Sequence, residues 1–448
     1  MSSIKPTSQI KIIMCFCMMC LYCSFSNAQT TTAIPDPNFE QALINQGIDS
    51  NGLNGNILNA DAELVNNLNV NDKNITDLTG IEAFIHLKYL YAYSNNLSTL
   101  DLSNNVFLEV LDIDNNSIET LNISQNILLN EIYVSNNLLQ TLTVSHLPNL
   151  ELLACSLNNL SALNVSNNLE LEVLSCYSNN LNTLNVTNNQ DLESLNCGNN
   201  YLNVLNISNN HDLRTLSCSG NNLNTISFSQ CSDISYVDIS NNQFTELDLS
   251  ANSGLKRLIC ENNNITELEL FNAPQLLLLH ASNNLLEDID ISTNNNLRFV
   301  RLGNNNLNTL DIRNTRNYRI SSFNAEGNAN LSCIFVDDVQ ASYLTSWEID
   351  SASHFVATES DCNSLSREVV AQNLEFVMYP NPATDYLHFK NLNSNANIDI
   401  YSVNGQLVKH QTTTPQGNSI NVSSLSSGLY LVKVSYLNQS ITKKILIN

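Results

Sequence analysis

From residue 87 to residue 317 the apolar positions fall into one phrase that is said twice per unit. Leu108-x-x-Leu111-x-Ile113-x-x-Asn116 is followed by Ile118-x-x-Leu121-x-Ile123-x-x-Asn126, and the pair recurs every 21 residues. The asparagine that closes the first phrase stands at Asn95, Asn116, Asn137, Asn158, Asn179, Asn200, Asn221, Asn242, Asn263, Asn284 and Asn305. A fixed period near 20 residues is the mark of a solenoid, whose turns bury together a core that no single turn can bury alone. Within each phrase the step Leu-x-Ile is the period-2 pattern of a half-buried strand. The pattern therefore predicts a mainly β solenoid of 21-residue turns with two short parallel strands per turn and little helix.

The asparagine column has a mechanical reading. Inside a corner of the coil, an amide can donate to one stranded carbonyl and accept from a stranded N–H, and stacking repeats the bond turn after turn. A second polar corner at Ser103-Asn104-Asn105, Ser166-Asn167-Asn168 and Ser208-Asn209-Asn210 reads as a looser, turn-tolerant segment. Ends of such an array need covers. At the front, Asp36 followed by Pro37 and an amphipathic run to Ile44 predicts a short capped helix, and residues 29–86 form the N-terminal cap and opening turn. At the back the period breaks after Asn317, and 318–363, with Trp347 and Cys362, reads as the closing cap.

Composition adds three constraints. The 448 residues are 43% hydrophobic with only 12 Gly and 8 Pro, which suits an ordered chain. Residues 29–363 carry 10 Lys+Arg against 38 Asp+Glu, while 364–448 carry 6 against 4; so acidic an array argues against nucleic acid and anionic lipid as partners. Residues 1–28 have the form of a signal peptide, with Lys5 and Lys11 ahead of an apolar run and cleavage expected between Ala28 and Gln29. No stretch of the mature chain is apolar enough to span a membrane.

Four of the 12 cysteines fall in the signal segment. Cys155, Cys176, Cys197, Cys218 and Cys260 share one repeat position, which elsewhere holds Ala92, Ile113 or Val134, so they read as small buried hydrophobes and not as a disulfide or metal framework. Cys333 and Cys362 flank the end of the array and are candidates for a disulfide.

After a linker at 364–375, residues 376–448 switch to short strands and Gly turns, the pattern of a small β-sandwich. Four motifs appear there in order: Tyr379-Pro380-Asn381-Pro382-Ala383-Thr384-Asp385, the run from Ile400 to Val408, the run from Leu425 to Val434, and Lys443 to Asn448. Together they resemble the type A C-terminal sorting domain of the type IX secretion system of Bacteroidota. The resemblance implies contact with that machinery, export across the outer membrane, removal of the domain, and release or attachment at the cell surface. Residues 34–362 resemble the short nested leucine-rich repeats of secreted bacterial proteins, with an internalin-like opening cap.

Positions that flank the buried strand residue should face outward from the concave sheet. They give a front patch of Tyr89, Tyr91, Tyr93, Asp112 and Tyr133, with Tyr177 further on, and a back patch of Arg257, His280, Phe299 and Arg301. Such aromatic area suits an unknown protein or glycan ligand. Carboxylates late in the second phrase, among them Glu246, Glu267, Asp288 and Asp290, raise calcium as a possible cofactor. No catalytic motif occurs and the seven histidines are scattered, so the sequence points to no enzyme. Two functions follow: a secreted or surface binding protein using its concave face, or a structural or adhesive protein in which the solenoid is a spacer or self-association element.

Overall fold

The computed structural model describes residues 29–372, 376–390, 392, 395–414, 418–436 and 439–448. Residues 1–28, with the expected cleavage point at Ala28, and residues 373–375 of the expected linker lie outside the described residues. The chain divides into two compact units, Met1–Ser353 and His354–Asn448.

In the first unit, three-residue strands from Asn67–Asn69 through Tyr89–Tyr91 to Phe299–Arg301, and then Ser322–Asn324, form one parallel sheet of thirteen described strands. Register is kept residue for residue, Leu90 opposite Leu111 and Leu111 opposite Ile132. The central residue of each strand is buried, with Leu90, Leu111, Ile132, Leu153 and Leu174 all at 0% exposure, while its neighbours face out. The sheet also runs past the expected end of the array at Asn317, because a longer turn carries the amide column on to Asn328.

The expected second strand of each turn is mostly absent. That side holds isolated bridges, Asp101 with Asn122 and Asp290 with Asp311, and one strand, Thr309–Asp311, paired with Cys333–Phe335. The N–H that would open a second ladder is taken by a side chain: Leu139 N donates to Asn158 Oδ1 and Leu160 N to Asn179 Oδ1, each at 3.0 Å. At the other end of the phrase Asn164, Asn185 and Asp248 accept from the N–H two residues on, bending the chain out of the extended form.

Two amide ladders hold the corners. In the first, Asn158 Nδ2 donates to Val134 O of the previous turn at 2.9 Å and to Cys155 O at 3.1 Å, while its Oδ1 accepts from Leu139 N. The same three bonds are made by Asn179, Asn200, Asn221 and Asn242. The residue just before each of these asparagines takes a left-handed backbone, as at Asn199 and Asn241, and Gly220 takes that place beside the Asn199 side chain.

The second corner is tighter than its sequence suggested. Asn105, Asn126, Asn168, Asn189, Asn210, Asn252 and Asn294 are completely buried. Each donates to two carbonyls, as Asn189 Nδ2 does to Val165 O at 3.0 Å and Asn168 O at 2.7 Å. Their Oδ1 atoms bond no protein group, so this position makes no use of a side-chain acceptor. Cys231, which the sequence did not single out, fills it by aiming Sγ at Ile207 O and Asn210 O.

At the front, the helix Pro37–Asn45 is capped by Asp36, whose Oδ1 accepts from Asn38 N and Phe39 N. Its Oδ2 accepts from Thr76 N at 2.7 Å, which ties the cap to the opening turn. Neither Cys333 nor Cys362 is a free thiol, whereas Cys155, Cys176, Cys197, Cys218 and Cys260 are free and buried. In the second unit, most of the expected linker is helix, Glu359–Gln372, because Thr358 and Asp361 bond reciprocally as an N-terminal cap. Beyond it, two antiparallel sheets share a core that includes Leu387, Phe389, Ile398, Ile400, Val432 and Ile445.

Replacing a donor-only asparagine should separate the two ladders' demands. Asn189→Ala removes two hydrogen bonds, leaving Val165 O and Asn168 O with only the N–H groups of Asn168 and Leu171, and should cost about 1–3 kcal/mol, whereas Asn189→Cys should recover part of that loss in urea denaturation. Equal losses for the two variants would show that the thiol does not substitute.

Candidate ligand-binding surface

The concave sheet presents three outward columns, and at the front they make a three-by-three grid. Tyr89, Val110 and Glu131 form one column, Tyr91, Asp112 and Tyr133 the next, both in register across adjacent strands. Tyr93, Asp114 and Ser135 continue it two residues on. Five expected residues, Tyr89, Tyr91, Tyr93, Asp112 and Tyr133, therefore sit together on three consecutive turns. Tyr177 does not join them; it lies four turns from Tyr93, and its hydroxyl accepts from Asn199 Nδ2 at 2.8 Å.

Charges in this grid are unevenly satisfied. Lys88 pairs with Glu109 at 2.6 Å, and Glu109 also accepts from the Tyr89 hydroxyl at 3.0 Å. Glu131 accepts from the Tyr133 hydroxyl at 2.8 Å. Burial, then this bond, raises the Tyr133 pKa to about 12. Asp112 accepts from Asp114 N, and Asp114 from Ser135 N, but among the described residues neither carboxylate meets a cation. Burial raises the pKa of both, and Asp114 reaches about 6, the Asp112 charge adding to the effect of burial.

The middle of the sheet is a floor of small side chains, Ala154, Ser175, Asn196, Ser217, Ser156 and Gly198. Toward the back, Ile259, His280 and Arg301 lie side by side, with Asp238 one strand before Ile259. Tyr236 is next to Arg257, while Phe299 is exposed. Here charges offset one another: burial raises the Glu261 pKa against the pull of Arg301, and burial followed by Arg301 lowers that of His280 against Asp238.

The expected carboxylate cluster lies off the concave face. Glu246, Asp248, Glu267 and Glu269 line a hollow of about 440 Å³ on the second-phrase flank. Asp248 and Asp290 are committed to the N–H groups of Ser250 and Ser292, and Asp288 accepts from Thr309. Among the described residues no group of three or more His, Cys, Asp or Glu is arranged to hold a metal ion.

The sequence reading passed over an apolar rim beside the front grid. Ile85, Val106, Phe107, Ile127 and Leu128 are all exposed at about the level of Tyr93 or above. They occupy the turn just ahead of the concave strands, and His86 stacks on Phe107 at 6.2 Å. In later turns the same register carries Asp191, Asp212 and Asp233. That switch from apolar to acidic was visible in the repeat alignment but lies outside the strand positions.

Asp114 gives a direct test of the unsatisfied charge. The unfolded chain ionises this acid near 3.8 and the folded chain near 6, so the native state holds the extra proton between them. Its favourable contribution is complete below the lower value and lost as pH rises through the upper one. Asp114→Asn keeps an acceptor for Ser135 N and removes the charge. It should melt higher than the parent at pH 7.5 and equally at pH 3.5; no gain at pH 7.5 would mean the carboxylate is not strained.

Residues 377–448 match the family described as the secretion system C-terminal sorting domain. No curated protein matches the chain. Among solved structures, the functional domain of InlJ from Listeria monocytogenes, described as including a cysteine ladder, is similar at 22% identity with a TM-score of 0.58, over 94% of this chain and 99% of that one. The internalin inlF from Listeria monocytogenes is similar at 22% identity and a TM-score of 0.59, over 72% and 95%. The leucine-rich repeat domain of APL1B is similar at 21% identity and a TM-score of 0.51, over 66% and 89%. Likenesses at this identity carry the fold and not the partner. The array therefore has the fold of a leucine-rich repeat solenoid of about 21-residue turns, similar to that of the internalins, and residues 377–448 carry a secretion system C-terminal sorting domain.

Proposed function

We propose that this secreted protein is a binding module whose concave sheet engages a protein or glycan ligand at or beyond the outer cell surface. The observation that carries the reading is the front grid. Four tyrosines stand on three consecutive turns of a rigid sheet, where each offers a large amphipathic area for the loss of few rotatable bonds. A pure spacer gains nothing from an aromatic cluster confined to one end of one face. The small floor behind it, around Ser175 and Ser217, leaves space for a ligand lying along the sheet. Export belongs to the last domain and recognition to the array, so the two functions separate along the chain.

Each half has its own measurement. Without residues 377–448 the protein should accumulate inside the outer membrane, seen by cell fractionation; unchanged secretion would remove the sorting role. In the intact secreted protein, Tyr91→Ala with Tyr133→Ala should keep the parental melting temperature. It should weaken retention on immobilised extracellular polysaccharide or surface-protein fractions by about tenfold or more, as loss of two interface tyrosines does. Undiminished retention would sink the concave-face reading and favour the solenoid as a spacer.

A further inference from the structure

The front surface combines features that no other part of the array brings together: tyrosines in register, a dehydrated carboxylate pair, and an exposed apolar rim. From this combination we infer that the front three turns dock a protein segment in which a lysine or arginine stands next to apolar side chains. The inference rests on the concave-face reading and names the chemistry of its ligand.

Strands of a sheet lie about 4.8 Å apart. Tyr91 and Tyr133 therefore flank Asp112 from either side, about 10 Å from each other, in a register fixed by backbone pairing. A cation entering between them meets a ring on each flank and a carboxylate at the floor. Cation–π attraction and charge pairing both strengthen in a partly dehydrated site. The Tyr133 hydroxyl is already given to Glu131, so the ring is what Tyr133 has left to offer.

Asp112 and Asp114 make a second, independent point. Both bond backbone N–H groups, yet no lysine or arginine among the described residues pairs with either. Lys88, the nearest cation in sequence, is held by Glu109. Among the described residues nothing supplies a charge complement to this pair, which leaves that role to a ligand.

The rim settles which cationic ligand fits. Free ammonium or a polyamine would use the acids and the rings and ignore Ile85, Val106, Phe107, Ile127 and Leu128. A protein segment with apolar residues beside its basic one covers the rim while its cation enters the grid. Beyond the fourth turn the rim becomes acidic, at Asp191 and Asp212, and the tyrosine pair is gone. Docking is thereby confined to the front. A neutral glycan would bury the rim poorly and leave the acid pair unmatched.

Binding of a labelled, acetylated twelve-residue leucine–lysine peptide to the intact secreted protein, read by fluorescence anisotropy, tests the idea against the overall charge of the chain. The variant Asp112→Asn with Asp114→Asn should weaken binding by about tenfold, as should Tyr91→Leu with Tyr133→Leu. Glu246→Gln with Glu267→Gln removes the same charge from the flank and should change it by less than about twofold. A peptide with glutamine in place of lysine should bind at least about tenfold more weakly than the lysine peptide. Each charge-neutralised variant is first checked for a parental circular dichroism spectrum, and the milder Asp112→Asn alone stands in if the pair does not fold. Equal weakening by the flank and grid pairs would reduce the effect to general attraction and overturn the proposal, as would equal binding of the glutamine peptide. If natural surface fractions lose binding only with Tyr91→Ala and Tyr133→Ala, and not with the aspartate variants, the concave-face reading stands and the cationic ligand falls.

Discussion

The whole array depends on how its corners satisfy main-chain polar groups without helices. A 21-residue turn reverses direction inside a core where water cannot reach, so every carbonyl and N–H left by a three-residue strand must find a partner. Main-chain pairing meets many of these demands, and two asparagine columns supply further partners at the corners. They differ in what they must do. In the first, the amide donates twice and accepts once, as at Asn158, and only asparagine does both at that length. In the second the amide only donates, and the position admits Cys231, Leu147 and Ala273 between its asparagines. Strictness in sequence thus follows the number of bonds required, and burial does not by itself explain it, since the second column is the more buried of the two.

That distinction also marks where sequence reading succeeds and where it stops. The period, the buried central leucines and the first asparagine column are repeated local patterns, so a one-dimensional reading finds them. The second asparagine column was underestimated because its substitutions imitate a tolerant surface corner. The second strand of each turn was overestimated for a related reason. Alternation at Leu121-x-Ile123 is real and Ile123 is buried, but an extended, half-buried segment becomes a strand only if its N–H groups remain free to pair. Here Asn side chains and Asx bonds claim them first. Thr358 and Asp361 show the same limit on a smaller scale, since a reciprocal cap turned an expected linker into helix.

For the candidate surface, the sequence located the columns and the structure located the charges. Counting from each asparagine places Tyr91, Asp112 and Tyr133 on one face without any coordinates. It does not say that Lys88 is already engaged, that Asp114 is dehydrated, or that Ile127 and Leu128 stand exposed beside them. Those facts depend on which neighbours the turn brings within reach, and a one-dimensional reading has no access to them.

Front and back of the concave sheet therefore differ in a way that composition hides. Both hold aromatic and acidic residues. At the back, Arg301 acts on Glu261 and on His280, and Asp238 opposes it, so the cluster supplies its own counter-charges. A ligand docking there would have to replace interactions already made. At the front, Asp112 and Asp114 are held by backbone N–H groups and, for Asp114, the Ser135 side chain, with no cation, and burial leaves them strained toward the neutral form. Folding gains little from such a pair, and a stability-driven surface would carry asparagine or serine there, as later turns do at Asn196 and Ser219. The acid pair at the front thus lacks the counter-charges that the cluster at the back supplies for itself, and this asymmetry is what the proposed binding role rests on.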